Sequence, residues 1–231
     1  MIEYNGQISD TYRVIVERYP ARPIPQRKQE KWSVPGRSGD LIAQEDAWEN
    51  VTRTYEVYIS AEGRDLHGYA AKAIEWLMAP GYHRLRDSYD RDTFVMATYT
   101  GGTDIANIFN KFGRWKLSFD CWPQRFLCSG AKAVSVAQGG ALLNPTIYPA
   151  QPLIVVQGSG AGVLTINGQA LTLSDCNGIT LDCRDEEAWR GVSNLNSTVS
   201  GAYPRLTEGE NRVSWSGGIT GVAITPRWFV I

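Results

Sequence analysis

In TRTYEVYIS (52–60) the apolar residues Tyr55, Val57 and Ile59 take every second position, with polar residues between them. That period predicts a strand with one buried face, because successive side chains of extended backbone point to opposite sides. GRWKLSFDCW (113–122) repeats it with Trp115, Leu117, Phe119 and Cys121. YRVIVE (12–17) alternates only in part, but Val14, Ile15 and Val16 favour a strand because β-branched side chains suit a pleated surface. TFVMATYT (93–100) reads the same way. RDLHGYAAKAIEWLMAPG (64–81) breaks the period: Leu66, Tyr69, Ala70, Ala73, Ile74 and Leu77 recur at three- and four-residue spacing. This predicts a helix that Pro80-Gly81 stops. One helix among strands predicts an α+β or β-sandwich arrangement.

The remainder shows no helical period. PLIVVQG (152–158), GVLTING (162–168), QALTLSD (169–175), GITLDC (178–183), RVSWSG (212–217), GVAITP (221–226) and RWFVI (227–231) read as short strands. Asn167-Gly168 is a two-residue hairpin turn whose positions both want positive φ. Strands of this kind predict an antiparallel sandwich, so the chain as a whole is mainly β.

Charge divides the chain at the same place. Residues 1–128 carry 17 Lys/Arg and 17 Asp/Glu, against 6 and 7 in residues 129–231. The change falls in SGAKAVSVAQGGALLNPTIYPAQP (129–152), the small, proline-bearing composition of a boundary. The predicted domains are therefore 1–130 and 131–231, with no repeat between them. A net charge of −1 and the lack of any Lys/Arg run longer than two residues argue against sequence-specific nucleic-acid recognition, with a basic patch on one face left open. No run approaches the ~20 apolar residues of a membrane span. The opening MIEYNGQISD has no basic and apolar leader pattern, so synthesis in the cytosol is expected. Cys121 and Cys128, like Cys176 and Cys183, are seven apart, which is not a zinc-ligand spacing; they are expected to be small buried hydrophobes.

KWSVPGRSGDLI (31–42) invites a phosphate-loop reading, but it has neither the lysine nor the following helix that such a loop requires. It reads instead as the turn of a long hairpin with arms 27–33 and 41–59. The charges Arg27, Lys28, Glu30, Lys31, Asp40, Glu45 and Asp46 suit either a solvated ribbon or a polar partner surface. Lys31, Trp32, Arg37 and Asp40 are its candidate oligomer-contact residues. Gly158-Ser159-Gly160-Ala161-Gly162 follows a strand, but Val163 stands where a dinucleotide-binding loop needs glycine and no helix follows. A glycine-rich β-turn is expected there.

Catalytic signatures are thin. The histidines His67 and His83 belong to no metalloprotease motif, and no G-x-S-x-G nucleophile elbow occurs. Asp87, Asp90 and Asp92 in RDSYDRD, and Asp185-Glu186-Glu187, are the carboxylate sets a hydrolase would need, with solvated loops as the plainer reading. No calcium-loop pattern is matched. No catalytic, cofactor-binding or metal-binding set is predicted. Trp189, in the loop-like EEAWRG, is the candidate for stacking on a sugar; Trp215 alternates with Val213 and suits a core equally well.

The order of motifs resembles one family. PGRSGDL at a hairpin tip is followed by Trp48, Asn50, Tyr55 and Val57 in W-x-N-x-x-x-x-Y-x-V, by R-D-L with a helix, by Pro80–Leu85, and by FNKFGRWKLSFDCWPQRF (109–126). NPTIYPAQPLIVVQGSGAG, GENRVSWSG (209–217) and ITPRWFVI (224–231) complete it. Together they resemble the distal tail protein, or Dit, family of siphophages. The resemblance implies a non-enzymatic virion protein forming a ring of six copies at the distal end of the tail tube, through its N-terminal domains. It implies a galectin-like, carbohydrate-binding-module-like C-terminal β-sandwich. The implied partners are further copies of the chain, the tail tube protein, tail-tip or baseplate proteins and a receptor-binding protein. The C-terminal part is too short for an inserted binding module. The alternative is a carbohydrate-binding module that contributes to host attachment.

Overall fold

The computed structural model describes residues 1–61, 65–102, 104–108 and 112–231. Arg64, in the predicted helical stretch, and Phe109, Asn110 and Lys111 of the 109–126 motif lie outside the described residues, as does the side chain of Asp46. The fold is mainly β, with a single α-helix among the described residues. The chain forms two compact units, Met1–Arg125 with Ile231, and Phe126–Val230.

The first unit contains strands β1 (Ile2–Tyr4), β2 (Gln7–Ile8), β3 (Val14–Val16), β4 (Arg27–Trp32), β5 (Leu41–Trp48) and β6 (Val51–Ser60). Helix α1 (Leu66–Leu77) and strands β7 (His83–Asp87), β8 (Thr93–Gly102), β9 (Ala106–Ile108) and β10 (Phe112–Leu127, its last two residues in the second unit) follow. The main sheet runs β2-β1-β7-β8-β10-β6-β3. Its centre is the antiparallel β6–β10 pair, in which Val57 stands opposite Trp115 and Tyr55 opposite Leu117. Each predicted inward row thus meets the other, and Tyr55, Val57, Ile59, Trp115, Leu117, Phe119 and Cys121 are all buried. The strand expected from residue 12 starts only at Val14, because Ser9–Tyr12 form a 3-10 turn that Arg13 leaves at φ 56°.

The helix packs with a rotated face. Leu66, Ala70, Ala73 and Leu77 are buried as predicted, but Ile74 is 38% exposed and Trp76 takes its place inside. Trp76 donates its indole N–H to the Tyr4 carbonyl at 3.0 Å and stacks on Tyr12 with ring centroids 4.8 Å apart. A large ring with a buried hydrogen-bond acceptor outweighs one isoleucine in choosing the buried stripe.

The hairpin is shorter than its sequence suggested. Among the described residues β4 pairs with β5 only, and the second arm ends at Trp48; residues 51–60 belong to the main sheet as β6. The strong apolar period of 55–59 draws that segment into the core, so the ribbon keeps only its polar part.

The second unit contains β11 (Val134–Val136), β12 (Ala141–Asn144), β13 (Leu153–Ile166), β14 (Gln169–Leu173), β15 (Ile179–Asp182), β16 (Glu187–Arg190), β17 (Ser193–Asn194), β18 (Val199–Ser200) and β19 (Gly209–Thr225). The path β11-β19-β13-β15-β16-β17 forms its sheet, with β12, β14 and β18 branching from it. Four of the predicted short strands are two long ones: 152–158 and 162–168 merge in β13, and 212–217 and 221–226 merge in β19. The glycine-rich stretch 158–162 is therefore not a turn between strands. It is an irregularity within β13, where the register with β19 shifts between Gln157 and Gly162. A Cβ on Gly158 would lie 2.2 Å from the Gly218 carbonyl oxygen, and one on Gly218 would lie 1.8 Å from that of Ser159. Glycine lets the two backbones approach there. The segment expected as a boundary is ordered too: β11 and β12 pair with β19, and Asn144 bonds the Tyr148 and Leu206 carbonyls.

Candidate functional site

The ribbon β4–β5 forms a sheet of its own. Every residue of β4 is exposed. Trp32 stands opposite Leu41 and Lys31 opposite Ile42, so apolar side chains appear on both faces. Trp32, Leu41 and Ile42 are 50%, 42% and 57% exposed. Arg37 and Asp40 lie in the connecting loop, where the Arg37 amide donates to the Val34 carbonyl at 3.1 Å. Lys31, Trp32, Arg37 and Asp40 are thus brought to one end of the ribbon, all exposed. The sequence reading missed the exposed Val34, Leu41 and Ile42, which lack a clean period because they alternate with charges around a loop. At its base, the Arg27 guanidinium lies over the Trp48 ring, 4.4 Å from the centroid. The ribbon therefore carries exposed apolar groups on both of its faces.

The 87–92 carboxylates divide: Asp92 is exposed, as a solvated loop would have it, while Asp87 and Asp90 are held by the protein. Asp87 is buried, and its Oδ2 accepts from the Tyr55 hydroxyl at 2.8 Å and from Arg53 at 3.4 Å. Its Oδ1 accepts from the amides of Tyr89 and Asp90, each at 3.0 Å. Burial pushes the Tyr55 hydroxyl far up, which keeps it a donor to this carboxylate. Asp90 pairs with Arg125, which also reaches Thr93. Asp87 and Asp90 are each held by a guanidinium. Around them opens a cavity of about 330 Å³, to which Arg22 and Tyr19 also contribute.

The other candidates scatter. Trp189 lies in β16, half-buried and paired with Thr180 and Asn194, so it is not the loop residue expected. Asp185, Glu186 and Glu187 are exposed in the second unit, and His67 is exposed on the helix of the first. His83 bonds the Pro80 carbonyl and packs edge-on to Tyr4. Cys121, Cys176 and Cys183 are buried and free, and burial pushes the Cys121 and Cys183 thiols up to about 12. Among the described residues no group of three or more His, Cys, Asp or Glu could hold a metal ion, and no helix is long and apolar enough to cross a membrane.

No family model and no curated protein matches the sequence. Solved structures do match the fold. The SPP1 Dit (gp 19.1) protein, described as a paradigm of the hub adsorption apparatus in phages infecting Gram-positive bacteria, superposes with a TM-score of 0.72. The match covers 96% of this chain and 97% of that one, at 14% identity. The chain has the fold of a phage Dit protein. A chain of the phage P2 baseplate in its activated conformation with calcium matches this chain at a TM-score of 0.52 and 10% identity, over 92% of this chain and 90% of that one. A chain of the strontium form matches at 0.53 and 10%, over 96% of each. Both units of this chain thus fall within the Dit-like match.

Proposed function

We propose that the chain is a structural, non-enzymatic component of a phage tail hub, which self-assembles into a ring of six copies at the distal end of the tail. Coverage of both chains almost end to end by the Dit fold carries this reading. The uncovered ribbon supports it: Lys31, Trp32, Arg37 and Asp40, with Leu41 and Ile42 beside them, offer an amphipathic contact for an adjoining subunit. A closed ring needs two different complementary patches on each copy, and a projecting ribbon meets the need for one of them. In this reading the ring joins the tail tube protein to tail-tip or baseplate proteins and to a receptor-binding protein. The protein is made in the host cytoplasm and ends in the virion. The Asp87 and Asp90 contacts support a structural role over hydrolysis.

Light scattering of the purified protein, with negative-stain imaging of the particles, tests the proposal. The expected result is a ring of one size, and antibody label at the tail tip of intact phage. A protein that stays monomeric at high concentration and is missing from purified virions overturns it.

A further inference from the structure

The Arg53/Arg125 cavity has more cationic donors than its own carboxylates satisfy. Arg22, Arg53 and Arg125 line it together with Asp87 and Asp90, so the lining carries three positive and two negative charges. The Nε–H groups of Arg53 and Arg125 are buried and have no acceptor among the described residues. Asp87 cannot supply one, since its two oxygens already take four donors. Arg22 makes no ion pair with any described residue and is exposed at the mouth. It belongs to the irregular stretch 18–25, bracketed by bonds from the Glu17 amide to the Glu56 carbonyl and from the Glu49 amide to the Gln26 carbonyl. Tyr19, in the same stretch, rests on Tyr89 with ring centroids 4.0 Å apart, which roofs one side of the cavity.

From this geometry we infer that the cavity is a carboxylate-binding site. Guanidinium forks match the planar, two-oxygen face of a carboxylate. The surplus of one positive charge selects a monoanion; a dianionic phosphate would bring net negative charge beside Asp87 and Asp90. Two sources present this chemistry, a free organic acid and an Asp or Glu side chain of an adjoining polypeptide. The inference does not depend on ring formation.

Saturation-transfer NMR on the full chain, titrated with sodium acetate at constant ionic strength, tests it. A saturable acetate signal is expected, with inorganic phosphate binding more weakly. Arg22→Ala, at an exposed position, and Arg125→Lys, which keeps charge but loses the fork, should each weaken acetate binding about tenfold. Circular dichroism confirms that each variant is folded. A blocked tripeptide, Ala-Asp-Ala, that binds more tightly than acetate identifies a protein side chain as the source; acetate binding at least as tightly identifies a free acid. No saturable signal, phosphate binding as well as acetate, or binding unchanged in Arg22→Ala overturns the inference.

Discussion

Asp87 ties three parts of the first unit together: the end of β7, the turn that follows it, and β6 through Tyr55 and Arg53. Replacing it with alanine strands a buried hydroxyl, a guanidinium and two amides. Asp87→Ala is therefore expected to lower stability by about 3 kcal/mol, read from urea unfolding followed by tryptophan fluorescence. A change below about 0.5 kcal/mol would mean that water replaces these bonds at no cost. In the second unit Asp182 takes two bonds from Arg227, at 2.6 and 2.8 Å, and one from the Arg184 amide. Burial alone would push its carboxyl up, but these bonds outweigh it and hold the group below its ordinary value. The pair's contribution is thus present above the unfolded carboxyl value of about 3.9 and is lost as pH falls through the lower folded value. Melting curves from pH 7 to pH 2 should show wild type well above Asp182→Asn at neutral pH, with the two converging at the acid end.

The ribbon and the paired long strands place opposite demands on sequence. On the proposal that β4–β5 contacts an adjoining copy, substitutions at its end act on association and not on folding. Trp32→Ala and Ile42→Ser are each expected to leave the monomer's melting unchanged and to weaken self-association at least about tenfold, since burying one large apolar side chain contributes roughly 2 kcal/mol. Sedimentation velocity over a concentration series reads this directly, and unaltered association would exclude the ribbon as a contact. β13 and β19 need close backbone approach. Gly218→Val must displace the Ser159 carbonyl from a contact of 1.8 Å, and is expected to lower stability by more than about 2 kcal/mol. The merged strands also show where local patterning misleads: Gly158–Gly162 looks like punctuation, yet pairing with β19 on both sides carries the strand through it.

Each compact unit has its own buried cluster, one around Tyr55, Leu117 and Phe119 and the other around Ile154, Leu164 and Ile224. The fragment 126–231 is accordingly expected to fold without the rest, with near-ultraviolet circular dichroism and a cooperative melt. A fragment without a cooperative transition would show that its core depends on the first unit. As for function, the mainly β class and a polar hairpin were readable from patterning, and the order of motifs pointed to the family whose fold the chain shares. The arginine-lined cavity was not readable. Arg22, Arg53 and Arg125 are spread over a hundred residues, and nothing in their local surroundings marks them as neighbours.

What local sequence settled was the kind of element and, in the central strands, its inward face. The alternation of 55–59 and 115–121, and the Asn167-Gly168 turn with φ values of 53° and 81°, follow from the chain's own stereochemistry and hold wherever those segments sit. The overlooked Asn5-Gly6, with φ values of 51° and 71°, carries the same signal between β1 and β2. Folding in three dimensions decided which strands pair, which of Ile74 and Trp76 turns inward, and whether Asp87 meets water or Tyr55. Those outcomes depend on groups far apart along the chain, and burial energies that no local window contains choose among them.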